Sequence, residues 1–180
     1  IWDGGLPTFI AWMNARLWEM KRLLKSSGQI FVHLDYHAAH YIKVELDKIF
    51  GYDNFRNEII WHYPSMSATK QDFPRKHDTI LRYVKDSSSY KFNADEVRVP
   101  YAESTKDRAK YGGAGFDESG TANYLKADGK IPDTVWMIPH LKGKERIGYP
   151  TQKPETLIER IIKATTNAGD VVADFFLGGG

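Results

Sequence analysis

The chain contains no cysteine, and its 180 residues include no long apolar run. Without cysteine, disulfides, zinc–thiolate sites and thiol nucleophiles are excluded. No segment approaches the roughly 20 apolar residues of a membrane-spanning helix, and the first residues lack the basic and apolar pattern of a secretion signal. The composition, 42% hydrophobic and 27% charged, therefore predicts a globular domain with a substantial core, located in the cytoplasm.

The chain also lacks a strong excess of either charge, since its formal net charge is +2 at pH 7. Any binding to nucleic acid must then come from local basic clusters rather than from the overall charge. An initiator methionine is absent as well, because the first residue is Ile1, and the last three residues are glycines. These two ends lead us to expect the interior of a longer gene product.

Apolar periodicity predicts alternating helices and strands in the first half of the chain. Apolar residues recur at helical spacing over residues 4–28, which predicts a first amphipathic helix. The run QIFVHLD at 29–35 predicts a strand buried on both faces, and a second helix should follow it and end at Phe50. Residues 57–63 and 78–84 predict two strands that pair as an antiparallel ribbon with a long loop between them.

The second half of the chain changes character twice. Residues 86–148 are rich in charge, glycine and tyrosine without a sustained period, which we interpret as an insertion. Beyond them, KPETLIERIIKATTNAG predicts a helix and VVADFF at 171–176 predicts a terminal strand. We therefore expect residues 1–85 and 149–180 to form one domain that the insertion interrupts.

Two short segments have the residue types of a ligand site. The glycines of FFLGGG allow a close approach of the backbone to a ligand, and Asp174 at the end of the predicted strand can accept a hydrogen bond from an ammonium group. The segment TQKP, just before the predicted helix, offers amides and a lysine charge to a carboxylate. Taken alone, a plain turn and a simple helix cap are the favoured interpretations. Placed one helix apart, the two segments become complementary halves of one pocket.

Four segments in this order resemble the β-class DNA amino-methyltransferases, particularly the adenine-N6 modification subunits of restriction–modification systems. They are HLDYHAAHYIKVELDKIFGYDNFRNEIIW, FPRKHDTILRYVK, YPTQKPETLIERIIKAT and ADFFLGGG, and they span nearly the whole chain. The resemblance implies an α/β fold with an incomplete Rossmann-like methyltransferase sheet, an antiparallel ribbon and an inserted target-recognition region. It also implies methyl transfer from S-adenosylmethionine to the exocyclic amine of a flipped base in double-stranded DNA, with adenine N6 preferred over cytosine N4.

The resemblance makes TQKP the family's motif X and ADFFLGGG its motif I, which together hold the cofactor. The cofactor-binding residues that it implies are Thr151, Gln152, Lys153, Pro154, Asp174, Phe176, Gly178 and Gly180. Gly179 departs from the family, which commonly has serine there, so one hydroxyl contact is expected to be missing. The family's (D/N/S)PP(Y/F) catalytic motif is absent from the 180 residues. We therefore expect no catalytic residue in this chain, and interpret it as a fragment that is inactive alone.

The resemblance also implies that aromatic and basic residues hold the flipped base or the DNA. The expected residues are Trp61, Tyr63, Arg75, Lys76, His77 and Tyr83. For each aromatic residue the alternative is packing in the core, and for the basic residues it is a solvated surface of mixed charge. A structural role is favoured over metal binding for His33, His37 and His40, so no metal is expected.

Two further functions stay open at the level of sequence. A dinucleotide-dependent dehydrogenase is suggested by the terminal glycines, but that class requires a GxGxxG turn near the start of a β-α-β unit. A DNA-binding module without chemistry would need only the recognition insertion. Partners considered for the full-length protein, besides DNA, are a restriction subunit and a second copy of the chain.

The family's sheet places the strand of the catalytic motif between VVADFF and QIFVHLD. Because that motif is absent from the chain, an unfilled position would leave backbone groups unpaired between these two strands. We expect a gap between them, an abnormal pairing, or a strand from another chain.

Overall fold

The computed structural model describes residues 3–66, 69–110, 128–141 and 143–178. In these ranges the helices are α1 (Gly5–Leu23), α2 (Ala39–Phe50), α3 (Glu103–Lys110) and α4 (Glu155–Thr165). The strands are β1 (Gln29–Leu34), β2 (Phe55–His62), β3 (His77–Val84) and β4 (Val135–Met137). Short 3-10 turns occur at Tyr52–Asn54, Ala94–Val97 and Gly143–Glu145. Within the described ranges, no helix combines the length and the apolar character needed to cross a membrane.

The strands form one mixed sheet in the order β1-β3-β2-β4. β3 pairs antiparallel with β1 and with β2, so that Ile80 lies opposite His33 on one side and Ile59 on the other. The predicted antiparallel ribbon is therefore confirmed. β4, which comes from within 86–148, adds parallel to β2. The division of the chain into a catalytic domain and an insertion stays a prediction, although this region contributes a strand to the sheet.

Each face of the sheet carries its own hydrophobic core, because successive side chains of a strand point to opposite faces. On β3, Leu81 and Tyr83 pack toward α1 and α2, whereas Ile80 belongs to the core on the other face. That second core lies against α4, and its buried residues are Ile59, Trp61, Ile80, Trp136, Ile138 and Leu157.

Helices α1 and α2 follow the amphipathic pattern predicted for them. α1 buries Met13 and Leu17, which lie one turn apart on the same side of the helix, and its last turn carries Lys21 and Arg22, where positive charge favours the helix dipole. α2 ends at Phe50 and is followed by Gly51, whose φ of +92° is a conformation that glycine adopts without a Cβ clash. These two helices cover one face of the sheet and leave the α4 face to form the site described below.

The prediction that β1 is buried on both faces is wrong. Val32 and Leu34 are buried, at 7% and 6% exposure, but Ile30, Phe31 and His33 are only partly buried. Among the described strands, β3 is the only partner of β1, so β1 lies at an edge of the sheet. An edge strand is covered less completely than a central one, which accounts for the partial burial.

The prediction of a terminal strand at VVADFF is also wrong, since residues 170–174 are irregular and a turn follows at 175–176. Side chains in this segment are exposed, with Val171 at 85% and Phe175 at 54%. A strand requires a neighbour that pairs with its backbone, and no strand within the described ranges supplies one. The expected gap between this segment and β1 stays a prediction, because VVADFF is not a strand of the sheet.

Candidate functional site

The Asp78 carboxylate joins the ends of three strands on the α4 face of the sheet. His33 Nε2 of β1 lies 2.9 Å from Asp78 Oδ2, and the Tyr63 hydroxyl, just after β2, donates to Asp78 Oδ1 at 3.2 Å. The strand register explains this meeting. Trp61 lies directly opposite Asp78, and His33 lies opposite Ile80, two residues further along β3; all four side chains therefore share one face.

Opposing electrostatic effects act on Asp78. Burial by itself would raise the pKa of this carboxyl, but hydrogen bonds from His33 and Tyr63 and the positive charge of Lys153 outweigh burial, and the pKa is lowered. Burial likewise lowers the pKa of Lys153, and the Asp78 charge opposes that shift. Burial and the same carboxylate raise the pKa of the Tyr63 hydroxyl. Asp78 is therefore a half-buried anion that the side chains around it hold in the charged form.

Aromatic rings surround this anion. Tyr63 stacks at an angle on His140, with ring centroids 4.1 Å apart, and Trp61 contacts both of these rings at 5.1 and 5.6 Å. Trp61 is 1% exposed and donates its Nε1–H to the carbonyl of Ile138 at 2.8 Å. Trp61 is thus a core residue that packs against the Tyr63 ring. It has no exposed face on which a base could stack. Tyr63 is partly exposed and His140 is exposed.

The structure excludes Tyr83 from the predicted base pocket. Its side chain is 0% exposed and lies on the opposite face of the sheet from Asp78, within the α1/α2 core. There its hydroxyl donates to Asp47 Oδ1 at 2.6 Å, and the Lys43 ammonium lies 5.5 Å from its ring centroid. Tyr83 therefore packs in the core, which was the alternative interpretation. Successive side chains of a strand point to opposite faces, and Tyr83 is an odd number of positions from Asp78 along β3.

The predicted cofactor segment TQKP enters this site through Lys153. Its ammonium donates to the carbonyl of Thr151 at 2.9 Å and, as described above, lies within the electrostatic influence of Asp78. Thr151 is exposed, whereas Pro154 is buried where α4 begins. The segment that was predicted to bind the cofactor therefore lies on the same face of the sheet as the strands that were predicted to hold the base, since Leu157 of the following helix is buried with Trp61 and Ile80.

Gln152 and the first amide of α4, which were predicted to bind the cofactor, make hydrogen bonds within the protein instead. The Gln152 side chain donates to the carbonyl of Glu145 at 2.7 Å and accepts from the Ile147 amide at 3.0 Å. The Glu145 carboxylate, in turn, accepts from the Glu155 amide at 2.7 Å. Gln152 therefore braces the preceding loop, and a carboxylate of the protein already occupies one amide at the helix entrance, where a ligand carboxylate was expected.

The segment that follows α4 comes close to Tyr149, two residues before TQKP. At Gly178, with φ of +66°, a Cβ atom would lie 2.7 Å from Cε1 of the Tyr149 ring, so only glycine permits this approach. Asp174 is exposed, and its Oδ1 accepts from the Phe176 amide at 2.9 Å. The Phe176 ring lies 5.8 Å from that of Trp12. Gly180 and the departure at Gly179 lie outside the described residues.

The predicted DNA-binding residues lie at the base of the loop between β2 and β3. The Arg75 guanidinium lies 4.4 Å from the ring centroid of Tyr36, and the Lys76 ammonium donates to Ser65 Oγ at 2.7 Å. His77 is exposed as the first residue of β3. Arg75 and His77 are thus exposed close to Asp78 in the sequence, while Lys76 is partly buried by its contacts within the loop.

Asp78, His33 and His140 belong to this candidate site, and the sequence either did not single them out or favoured a structural role for them. One signal was available, since DTILRYV begins with an acidic residue at the edge of an otherwise apolar strand. His140 carries no comparable signal, because it follows β4 within a region without periodicity. In the described part of the chain, no group of three or more histidine or acidic residues is placed to hold a metal ion.

Comparison with known proteins gives consistent matches along the whole chain. The sequence model of the N6/N4 DNA methylase family matches residues 4–180. The type II methyltransferase M.HpaI of Haemophilus parainfluenzae is 32% identical over 174 residues, covering 96% of this chain and 50% of that protein. The DNA adenine methyltransferase YhdJ of Escherichia coli K12 is 31% identical over 173 residues, covering 94% of this chain and 56% of YhdJ. The chain thus spans about half the length of these curated relatives.

A solved structure shows the same fold. The crystal structure of the M1.HpyAVI–SAM complex superposes with a TM-score of 0.51 at 20% sequence identity, over 86% of this chain and 62% of that one. The expected fold class, a partial Rossmann-like methyltransferase sheet, is therefore confirmed.

Proposed function

Because this chain belongs to the N6/N4 DNA methylase family, we propose that the protein transfers a methyl group from S-adenosylmethionine to the N6 amine of adenine in double-stranded DNA. The observation that carries the proposal is the packing of α4, which follows Lys153 and Pro154 directly, against the Asp78 face of the sheet, where Leu157 is buried with Trp61 and Ile80. It brings the predicted cofactor segment to the strands predicted to hold the base. Both substrates are present in the cytoplasm, so we propose this location and a role in a restriction–modification system.

The residues present fit the methionine end of the cofactor in three respects. Asp174 is an exposed carboxylate that can accept from an ammonium group, and Lys153 with the Thr151 hydroxyl can bind a carboxylate. The contact between Gly178 and Tyr149 shapes the turn beside them. When bound, S-adenosylmethionine supplies an electrophilic methyl group. Gln152 and Pro154 support this surface by fixing the loop and the start of α4.

The base-holding side consists of Tyr63, whose ring packs against Trp61 and His140. An aromatic face stacks on any extruded base, and Asp78 fixes the hydroxyl of Tyr63 and so the orientation of the ring. The amine of adenine is a poor nucleophile, because its lone pair is delocalised into the ring, and it needs a hydrogen-bond acceptor in the transition state. Following the resemblance, that acceptor belongs to a (D/N/S)PP(Y/F) motif, which these 180 residues lack. This chain would then supply the cofactor-holding and base-holding sides of the site.

The experiment is methyl transfer from labelled S-adenosylmethionine to mixed-sequence double-stranded DNA by the full-length protein. Nucleosides from the digested product identify the acceptor, and we expect N6-methyladenine. N4-methylcytosine would correct the base but keep the reaction. DNA binding without any transfer would favour the DNA-binding module. A matched reaction with Asp174→Asn should lose affinity for S-adenosylmethionine by about tenfold or more, since a charge-assisted hydrogen bond is removed.

A further inference from the structure

The loop between β2 and β3 is held firmly where it leaves the sheet. The Tyr63 amide donates to the carbonyl of Lys76 at 3.0 Å, one pair beyond the last residues of the two strands. The Lys76 ammonium then crosses the loop to Ser65 Oγ at 2.7 Å and to the carbonyl of Met66 at 2.8 Å. The base of the loop therefore stands directly beside Tyr63, the residue proposed to stack on the target base.

Two large apolar side chains of this loop lie entirely in solvent. Met66 is 101% exposed and Phe73 is 97% exposed. An exposed apolar residue is ordinary on a protein surface, but an aromatic ring that touches almost nothing contributes nothing to the fold. Within the described ranges these two are the most exposed of the large hydrophobic side chains, and both belong to the same basic loop.

The charges around these two side chains suit a phosphate backbone. Residues 69–76 carry Lys70, Arg75 and Lys76 against one carboxylate, Asp72. The planar Arg75 group stacks on Tyr36, which follows β1 and so keeps this cation at the same edge of the site. Proteins that open a duplex combine such phosphate contacts with an apolar wedge between bases, commonly Phe, Leu, Ile or Met.

The distance from Phe73 to the site is short along the chain. Three Cα–Cα steps of 3.8 Å separate Phe73 from Lys76, so their Cα atoms lie no more than about 11 Å apart. The backbone carbonyl of Lys76 accepts a hydrogen bond from the Tyr63 amide. A ring at this position can enter the stack from which a base has moved toward Tyr63.

We propose that Phe73 is a wedge that fills the space vacated by the flipped base, with Met66 as a second apolar contact to the duplex. This inference rests on the proposed function, because it assumes that duplex DNA is the substrate. The wedge stabilises the open duplex and offsets the cost of unstacking the target base. Leucine should replace phenylalanine in this role, whereas alanine is too short to reach between base pairs.

The test uses the full-length protein, after its methylated site has been mapped by sequencing modified DNA. Phe73→Ala, Phe73→Leu and the control Tyr52→Ala, an aromatic residue 74% exposed beyond α2, are compared with wild type. Each protein is assayed on a fully paired duplex and on a duplex with a mismatch opposite the target base, which lowers the cost of flipping. We expect Phe73→Ala to lose about tenfold or more in kcat/KM on paired DNA and to recover most of it on mismatched DNA. Phe73→Leu and Tyr52→Ala should stay within about threefold of wild type.

Three results would overturn the wedge. Phe73→Ala could be as active as wild type on paired DNA, or equally impaired on paired and mismatched DNA, or it could lower the melting temperature, which would show that Phe73 packs within the full-length protein. If wild type transfers no methyl group to any DNA, the proposed function itself fails. Failure of the proposal and failure of the function are therefore separate outcomes.

Discussion

His33 and Asp78 approach to 2.9 Å across the β1–β3 pair, at the end of the sheet where the Tyr63 hydroxyl also donates to Asp78. Asp35 and His37 form a second pair with the same separation, 2.9 Å, but both of its side chains are more than half exposed. The two pairs share their chemistry and differ in surroundings. The exposed pair is therefore a matched control for the half-buried one.

Asp78→Asn should lower stability at neutral pH by about 1 kcal/mol, since an anion with hydrogen bonds is lost and its partial exposure limits the effect. The folded pKa of Asp78 is lowered, so its contribution is present above the unfolded value of about 3.9 and is lost as the pH falls through the folded pKa. Urea unfolding of wild type and variant from pH 7 to pH 3 measures this difference. Asp35→Asn should change stability by only a few tenths of a kcal/mol. An equal effect of the two variants would contradict the account.

Tyr63→Ala should raise KM for DNA and lower kcat/KM by about 5- to 150-fold, because stacking on a base contributes about 1–3 kcal/mol. Tyr63→Phe keeps the ring against His140 and loses only the hydrogen bond to Asp78. We expect a smaller loss for Phe, in the range of about 2- to 10-fold. Steady-state kinetics on the mapped site give both values. A Phe variant as impaired as the Ala variant would show that the hydroxyl, not the ring, is what the site uses.

Replacing Arg75 and Lys76 together by alanine should weaken DNA binding and reduce the slope of log K against log salt by up to about 1.8, given about 0.9 for each phosphate contact. Binding isotherms at several salt concentrations measure the slope. The control replaces Arg22 and Lys48, which are 68% and 65% exposed on the α1/α2 side. An unchanged slope in the first variant would favour the solvated-surface interpretation.

Tyr83→Phe tests the assignment of that residue to the core. It removes the 2.6 Å hydrogen bond to Asp47 from a side chain that is 0% exposed, which should lower stability by about 1 kcal/mol. kcat and KM should stay at wild-type values, because Tyr83 lies on the face opposite the site. A fall in kcat/KM with unchanged melting temperature would return Tyr83 to the base pocket.

The sequence predicted most helices and strands, because their apolar periodicity is local information. It could not predict which face of the ribbon packs against α1 and α2. Tyr83 lies on that face, whereas Tyr63 lies on the opposite one. Gln152 and Glu145 illustrate a second limit, since the loop contacts that occupy them form only in the folded chain.

VVADFF shows a third limit. Its side chains have the composition of a buried strand, but a strand forms only beside a partner, and the described part of the chain provides none for it. Asp78 was missed for a related reason, since its role depends on the strand register that places His33 and Tyr63 beside it.

The central claim is that the segments proposed to hold the cofactor and the base act as one site through Lys153 and Asp78. A double-mutant cycle with Lys153→Met, Asp78→Asn and the double variant, followed by kcat/KM for methyl transfer to the mapped DNA site, tests it directly. Interacting charges in one network should give a coupling free energy of about 1 kcal/mol, or about fivefold, with the double variant less impaired than the product of the single effects. Strictly additive losses would contradict the claim and leave the two segments as independent parts of the fold.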